Sequence, residues 1–315
     1  MSTATPNFIT GAAAFEDWAG GLLTGTPPTV YPVGDRNWSS FEVGPGSIAL
    51  LGGAPGAGKT ALATQLAFEA LERSPDLRVL MGNVEMSPGA LYDRQLARLS
   101  GHEAADVRFR RIDQNDDALL DGMARLLHVS DRIAFLQPHF DLANLAAAGD
   151  ATGAELLVID YVQRFAPPGA GGSLRESMGA VMSALRRFAD LGRALLVVSA
   201  VARARGERGS NYDAASLGLA SFRESSELEY GADTAWVLAE VNGVTRLTCV
   251  KNRHGEAASI GLHFDKARQR FDVEPEWVPL AAEDGAQVRG KRPTRAQLRE
   301  QAQGQGQGQR AAHEA

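Results

Sequence analysis

The chain has almost no cysteine, no long apolar run and no excess of positive charge. Its one cysteine among 315 residues is Cys249, inside the apolar run Leu247-Thr248-Cys249-Val250. A single thiol excludes an intrachain disulfide and a cysteine-based zinc site, and its setting is that of a small buried hydrophobe in a strand. No apolar stretch reaches the length needed to span a bilayer, and the N-terminus lacks the basic start and apolar run of a secretory signal. A soluble, cytoplasmic protein with no membrane partner is expected. The 32 basic and 38 acidic residues leave a net charge of −6. That excludes a protein coated in positive charge to hold nucleic acid. A local basic channel stays possible, because binding depends on where charges cluster. The length suits one large α/β domain or two small ones, and no internal repeat is visible.

Glycine, by contrast, is concentrated where it carries chemistry. Gly53-Ala54-Pro55-Gly56-Ala57-Gly58-Lys59-Thr60 fits G-x-x-x-x-G-K-[ST] without a mismatch. An apolar run at 47–51 precedes it and reads as a buried strand. Residues 61–71, beginning at Ala61, read as a helix. Strand, glycine loop and helix N-terminus together make a phosphate cradle. Loop N–H groups point inward and the helix dipole favours negative charge. Lys59 is suited to reach the β- and γ-phosphates, and the Thr60 hydroxyl to ligate Mg²⁺. A nucleoside triphosphate and Mg²⁺ are the cofactors expected.

Along the chain, residues 1 to about 11 are small and polar and are expected to be disordered. In the helix read next, Phe15, Trp18 and Leu22 fall at i, i+3 and i+7 on one face. Packing on its own domain and docking on a neighbouring subunit fit this helix equally. The proline-rich span 27–32 behind it looks like a linker. Strands are read at 77–84, 132–136, 155–160 and 194–199. Helices are read after the Ser87-Pro88 cap to about Leu99, at 116–129, 142–148 and 174–191. Residues 201–222 read as a long loop holding Arg203, Arg205 and Arg208. Strands at 235–238, 244–250 and 258–264 follow, with Asn242-Gly243 as a hairpin turn. This order predicts an α/β fold with a mainly parallel sheet flanked by helices and finished by antiparallel hairpins. Three regions follow: an arm and linker at 1–45, an ATPase domain at 46–280, and a disordered polar tail at 281–315.

Two carboxylates end buried strands. Asp160 suits the Mg²⁺ shell of a phosphate-loop site. Glu85 could polarise an attacking water as general base, although its position fits a surface glutamate equally well.

Several segments resemble the DnaB-type replicative helicases, specifically their RecA-like C-terminal motor. Asn83-Val84-Glu85-Met86-Ser87, followed by Leu91, Arg94, Gln95, Leu96 and Ala97, resembles the segment after that family's second strand. Val158-Ile159-Asp160-Tyr161-Val162-Gln163 resembles its Mg²⁺-aspartate segment. The stretch from Phe222 to Asp233 is similar to its R-E-S-x-x-I-E-x-x-A-D run, and Lys251-Asn252-Arg253-His254-Gly255 to its K-x-R-x-G segment. The segments occur in family order over roughly residues 30 to 275. The resemblance implies an ATP-driven, hexameric ring that moves on or unwinds single-stranded DNA. Glu85 would then be the catalytic base. Lys251 and Arg253 would reach the γ-phosphate on the next subunit. The loops at 163–179 and 201–222, with Arg203, Arg205 and Arg208, would meet DNA.

Two departures matter. Ser199-Ala200 stands where the family usually has Ser-Gln, and alanine cannot hydrogen-bond to a γ-phosphate. Residues 1–45 also leave little room for the family's N-terminal primase-binding domain, so no such collar is expected. These departures fit an alternative: a RecA-type ATPase switch or loader in replication, recombination or a mobile element, without unwinding.

Overall fold

A computed structural model describes residues 8–165, 174–200, 205–206, 209–210, 226–241 and 244–274. Its first helix, α1 (Gly11–Thr24), is capped by the Thr10 hydroxyl and stopped by Gly25 at φ 69°. The chain begins to pack on the main body at Tyr31, whose N–H donates to the Val43 carbonyl (2.8 Å). Tyr31, Val33, Trp38, Phe41 and Val43 are all buried.

Helices then alternate with strands. The order is β1 (Ile48–Gly53), α2 (Lys59–Arg73), β2 (Val79–Asn83), α3 (Pro88–Ser100), α4 (Ala104–Arg108), α5 (Asp117–Val129), β3 (Ile133–Phe135), α6 (Leu142–Thr152) and β4 (Leu156–Asp160). The 3₁₀ turn Val162–Phe165 follows. Next come α7 (Leu174–Asp190), β5 (Ala194–Ala200), β6 (Arg205–Gly206), β7 (Gly209–Ser210), α8 (Ser226–Gly231), β8 (Thr234–Val241), β9 (Val244–Asn252), β10 (Ser259–Asp265) and β11 (Arg270–Val273).

Nine strands form one sheet in the order β11-β10-β9-β8-β1-β5-β4-β2-β3. The six from β8 to β3 pair in parallel, and β8 through β11 pair antiparallel. The expected fold class is the observed one. The sheet is covered on both faces, which is why its central strands read as unbroken apolar runs. Alternation still sorts the side chains. Ala49, Leu51, Val158, Leu196 and Val198 face a core built with α2, α3 and α5. Ile48, Leu50, Leu157, Ile159 and Val197 face one built with α6, α7 and α8.

Three elements escape a reading of the sequence. Helix α4 has five residues, too few to show a period. Helix α8 occupies 226–231, a stretch that the sequence shows only as a motif. Strand β11 has four residues in polar surroundings, and α2 holds it: the Gln65 amide donates to the Phe271 carbonyl (2.8 Å) and accepts from the Phe271 N–H (2.9 Å). The span expected as one long loop contains a small ladder, Arg205 opposite Ser210 and Gly206 opposite Gly209. The Asn242-Gly243 turn and the tail at 281–315 lie outside the described residues. Strands β8 and β9, which flank that turn, pair antiparallel.

Candidate nucleotide site

The parallel strands bring their C-terminal ends to one edge of the sheet, and the phosphate loop crosses that edge. Gly53 ends β1, Gly56 and Gly58 take positive φ (78° and 94°), and Gly58 caps α2. Only glycine fits at Gly58. Its φ is left-handed, and a Cβ there would meet the Phe264 and Phe271 rings at 2.7 and 2.8 Å. Those two rings stack with centroids 4.0 Å apart beneath the loop. Sequence reading missed them as neighbours of the site, because they lie over two hundred residues downstream and meet it only through the antiparallel extension. The first N–H groups of α2 have no partner within their own helix, and they point from its N-terminus as the loop geometry requires of an anion site.

The Lys59 ammonium donates to the carbonyls of Gly53 (2.8 Å) and Ala54 (3.0 Å). Burial pulls its pKa below the ordinary lysine value, and the nearby Asp160 and Glu85 carboxylates oppose that pull. Asp160 is buried at the end of β4. Burial pushes its carboxyl above the usual range and Glu85 adds to the push. The Thr60 hydroxyl bonded to it, and the charges of Lys59 and Arg94, act the other way. Asn83, at the end of β2, donates to Asp160 Oδ2 (2.7 Å). The same amide accepts from the N–H groups of Glu85 (3.1 Å) and Met86 (2.7 Å). One side chain therefore sets both the Asp160 carboxylate and the turn that carries Glu85. Glu85 itself is exposed.

Helix α3 adds a cation. Burial pulls Arg94 below the ordinary guanidinium value, and the Asp160 charge opposes it. Its neighbours are used for packing. Arg98 donates to Gln95 (2.7 Å) and pairs with Glu69 of α2 (3.3 Å), which ties α3 to the helix of the phosphate loop.

Lys251 and Arg253 stand at the opposite edge of the sheet. Thr234, which starts β8, lies opposite Asn252, so the end of β9 reaches the start of β1. Arg253 Nη1 pairs with Asp233 (3.0 Å) and Nη2 donates to the Tyr230 carbonyl (2.7 Å). Buried Asp233 also accepts from Arg186 (2.8 Å) and from the Ile48 N–H (2.9 Å). Lys251 Nζ donates to the Tyr230 carbonyl (3.2 Å). The residues given to DNA, Arg203 and Arg208, lie outside the described residues, and Arg205 is described only as backbone of β6.

Among the described residues no cluster of three or more His, Cys, Asp or Glu could hold a metal. Mg²⁺ does not need one. It binds through one or two protein oxygens completed by phosphates and water, and Thr60 with Asp160 form such a pair. The donor set fits the ion.

Fold and cradle together define a RecA-like domain with a phosphate loop. The family model for the DnaB-like helicase C terminal domain matches residues 38–273, well over half of the chain. The chain belongs to that family. Relatives include a probable plasmid replicative DNA helicase of Chlamydia trachomatis, 24% identical over 243 residues, covering 72% of this chain and 51% of the relative. The replicative DNA helicase DnaB of Buchnera aphidicola is 22% identical over 254 residues, covering 76% and 54%. The chain thus spans about half the length of these relatives. Among solved structures, an ATPase domain aligns with a TM-score of 0.71 at 19% identity, covering 84% of this chain and 99% of that one. A DnaB-like replicative helicase, studied with primase, aligns with a TM-score of 0.67 at 18% identity, covering 86% and 68%. Among the described residues no helix is long and apolar enough to cross a membrane.

Proposed function

We propose that the chain is the ATP-hydrolysing subunit of a cytoplasmic ring, hexameric in keeping with the family resemblance, that moves along single-stranded DNA. The observation that carries this is the separation of cradle and cations. Gly53 and Arg253 flank opposite ends of β1, five residue steps or about 17 Å apart. Arg253 cannot serve its own cradle, so the cation over the γ-phosphate comes from a second copy. Exposed side chains support assembly. Phe15, Trp18 and Leu22 on α1 are 62%, 60% and 63% exposed, and Leu120, Met123 and Leu127 on α5 repeat the i, i+3, i+7 spacing and are exposed too. A helix of one copy docking on the next would cover both stripes.

In this reading the loop N–H groups and Lys59 hold the β- and γ-phosphates. Thr60 and Asp160 hold Mg²⁺, which neutralises charge on the phosphates. Glu85 orients and deprotonates the attacking water, while Arg253 and Lys251 of a neighbour meet the charge that develops. Such an arginine is worth about 10³–10⁵ in rate. Arg203, Arg205 and Arg208 contact DNA phosphates.

A second reading is favoured by Ala200: the same ATPase used as a switch or loader for a protein partner in replication or a mobile element. Steady-state hydrolysis across protein concentration, with and without single-stranded DNA, separates the two. Strong stimulation by DNA and a rate per subunit that rises with concentration are expected. Concentration-dependent hydrolysis indifferent to DNA would favour the switch, and a rate per subunit independent of concentration would defeat the ring.

A further inference from the structure

Backbone pairing between β4 and β5 ends at Ile159 opposite Val197. Beyond that point one side chain continues the ladder. Gln163 Oε1 accepts from the Ala200 N–H (3.3 Å), and its Nε2 donates to the Ala200 carbonyl (3.2 Å) and to Ser199 Oγ (2.8 Å). The amide engages both backbone polar groups of Ala200, as a neighbouring strand would. Its own position is fixed, since Val162 and Phe165 of the same 3₁₀ turn are buried.

The other side of β5 lies against the phosphate loop. Ala200 is opposite Gly53 of β1, whose carbonyl accepts the Lys59 ammonium. Gln163 follows Asp160 by three residues. A closed circuit results, running from Asp160 through Gln163 and Ala200 to Gly53 and Lys59. Ala200 has only an exposed methyl to offer, so the contact at this strand end is supplied from β4. From Ala200 the chain runs on to Arg203, Arg205 and Arg208.

We propose that the Gln163 amide is a positioning contact that couples the nucleotide site to single-stranded DNA engaged beyond Ala200. The inference rests on the ATPase reading above. Gln163 begins the loop 163–179 that the resemblance gave to DNA, but its amide is spent on Ser199 and Ala200, and it touches neither phosphate nor metal in this scheme. Its work is to keep the end of β5 in register with the strand that carries Asp160.

The test compares the full chain with Gln163→Ala and Gln163→Glu. Glutamate keeps the size of glutamine but cannot donate to the Ala200 carbonyl, so a purely space-filling role would survive it. Basal kcat and the KM for ATP are expected to stay within about twofold in both variants. The DNA-stimulated kcat is expected to fall about fivefold or more in both, the lower end of ordinary coupling between two sites. A second readout needs no DNA. Tryptic cleavage after Arg203, Arg205 and Arg208 is followed with and without Mg²⁺ and a non-hydrolysable ATP analogue. Nucleotide is expected to change the wild-type cleavage rate by about fivefold or more and to leave both variants unmoved. Wild-type stimulation or wild-type cleavage response in Gln163→Glu overturns the proposal. So does loss of its basal hydrolysis with nucleotide affinity intact, or a wild type whose cleavage ignores nucleotide. A wild type that hydrolyses ATP and responds in cleavage, but ignores DNA, defeats the DNA reading, and the cleavage response of the variants then judges Gln163.

Discussion

At the scale of single residues, the nucleotide site holds two groups in unfavourable charge states. Asp160 is buried and its carboxyl is pushed up by that burial, so its charged form works against the fold. The sign follows from proton counting. Between the ordinary value of 3.8 and its raised folded pKa, the folded protein binds the Asp160 proton more tightly than the unfolded chain does. Stability therefore falls as pH rises through that window. Asp160→Asn removes the charge and keeps an acceptor for the Asn83 amide. We expect a higher melting temperature without nucleotide, with the advantage over wild type growing as pH rises from the ordinary value of 3.8 through the raised folded pKa. We also expect loss of Mg²⁺-dependent ATP hydrolysis. Thermal melts across pH, beside phosphate release, check both halves. A variant no more stable than wild type at neutral pH would show that the charge costs nothing there.

At the scale of elements, the phosphate loop depends on a strand far away in sequence. Strand β11 reaches α2 through Gln65, and its Phe271 ring, stacked with Phe264, fills the space under Gly58. Gln65→Ala leaves a buried backbone N–H and a buried carbonyl of Phe271 without their partner. An unsatisfied buried group costs ~1–3 kcal/mol, so with two such groups a loss of roughly 2–6 kcal/mol is expected in denaturant titrations. Nucleotide affinity should weaken with it, because the rings that bound the loop lose their anchor. Full stability in this variant would mean that β11 is held by packing alone. The longer helices were legible from their apolar period, and α3 also from its cap, Ser87 before Pro88, whereas α4 and α8 are too short to show one. Strand β11 was not, since its one buried residue, Phe271, is set among half-buried and exposed neighbours.

At the scale of the whole molecule, the cradle and Arg253 stand at opposite edges of one sheet, and in the ring proposed above activity would belong to pairs of copies. Mixing provides a direct test. Lys59→Ala has a dead cradle and an intact Arg253. Arg253→Ala has an intact cradle and no cation to offer. Each alone should hydrolyse ATP at least about a hundredfold more slowly than wild type. Mixed before assembly, they should recover a measurable fraction, because some junctions join the good cradle of one to the good arginine of the other. No recovery over a range of ratios, with mixed oligomers demonstrated by mass, would return Arg253 to a role within its own subunit. That role has a visible basis: its ion pair with Asp233, a carboxylate that also takes Arg186 and the Ile48 N–H.

The sequence alone determined the fold class and the cradle, because both rest on local chemistry. A covered parallel strand must be apolar throughout, and a phosphate loop must carry glycines at fixed spacing before a helix. Asp160 stood out because it ends such a strand, and Glu85 because it closely follows one. Only the tertiary structure decided what meets across the chain. Asn83 serves Asp160 from another strand, Phe264 and Phe271 support Gly58 from the far end of the domain, and Gln163 satisfies Ala200 where backbone pairing has stopped. Each joins residues that no periodicity connects. The strand order of the sheet brings them together, and that order is fixed by the packing of helices on its two faces.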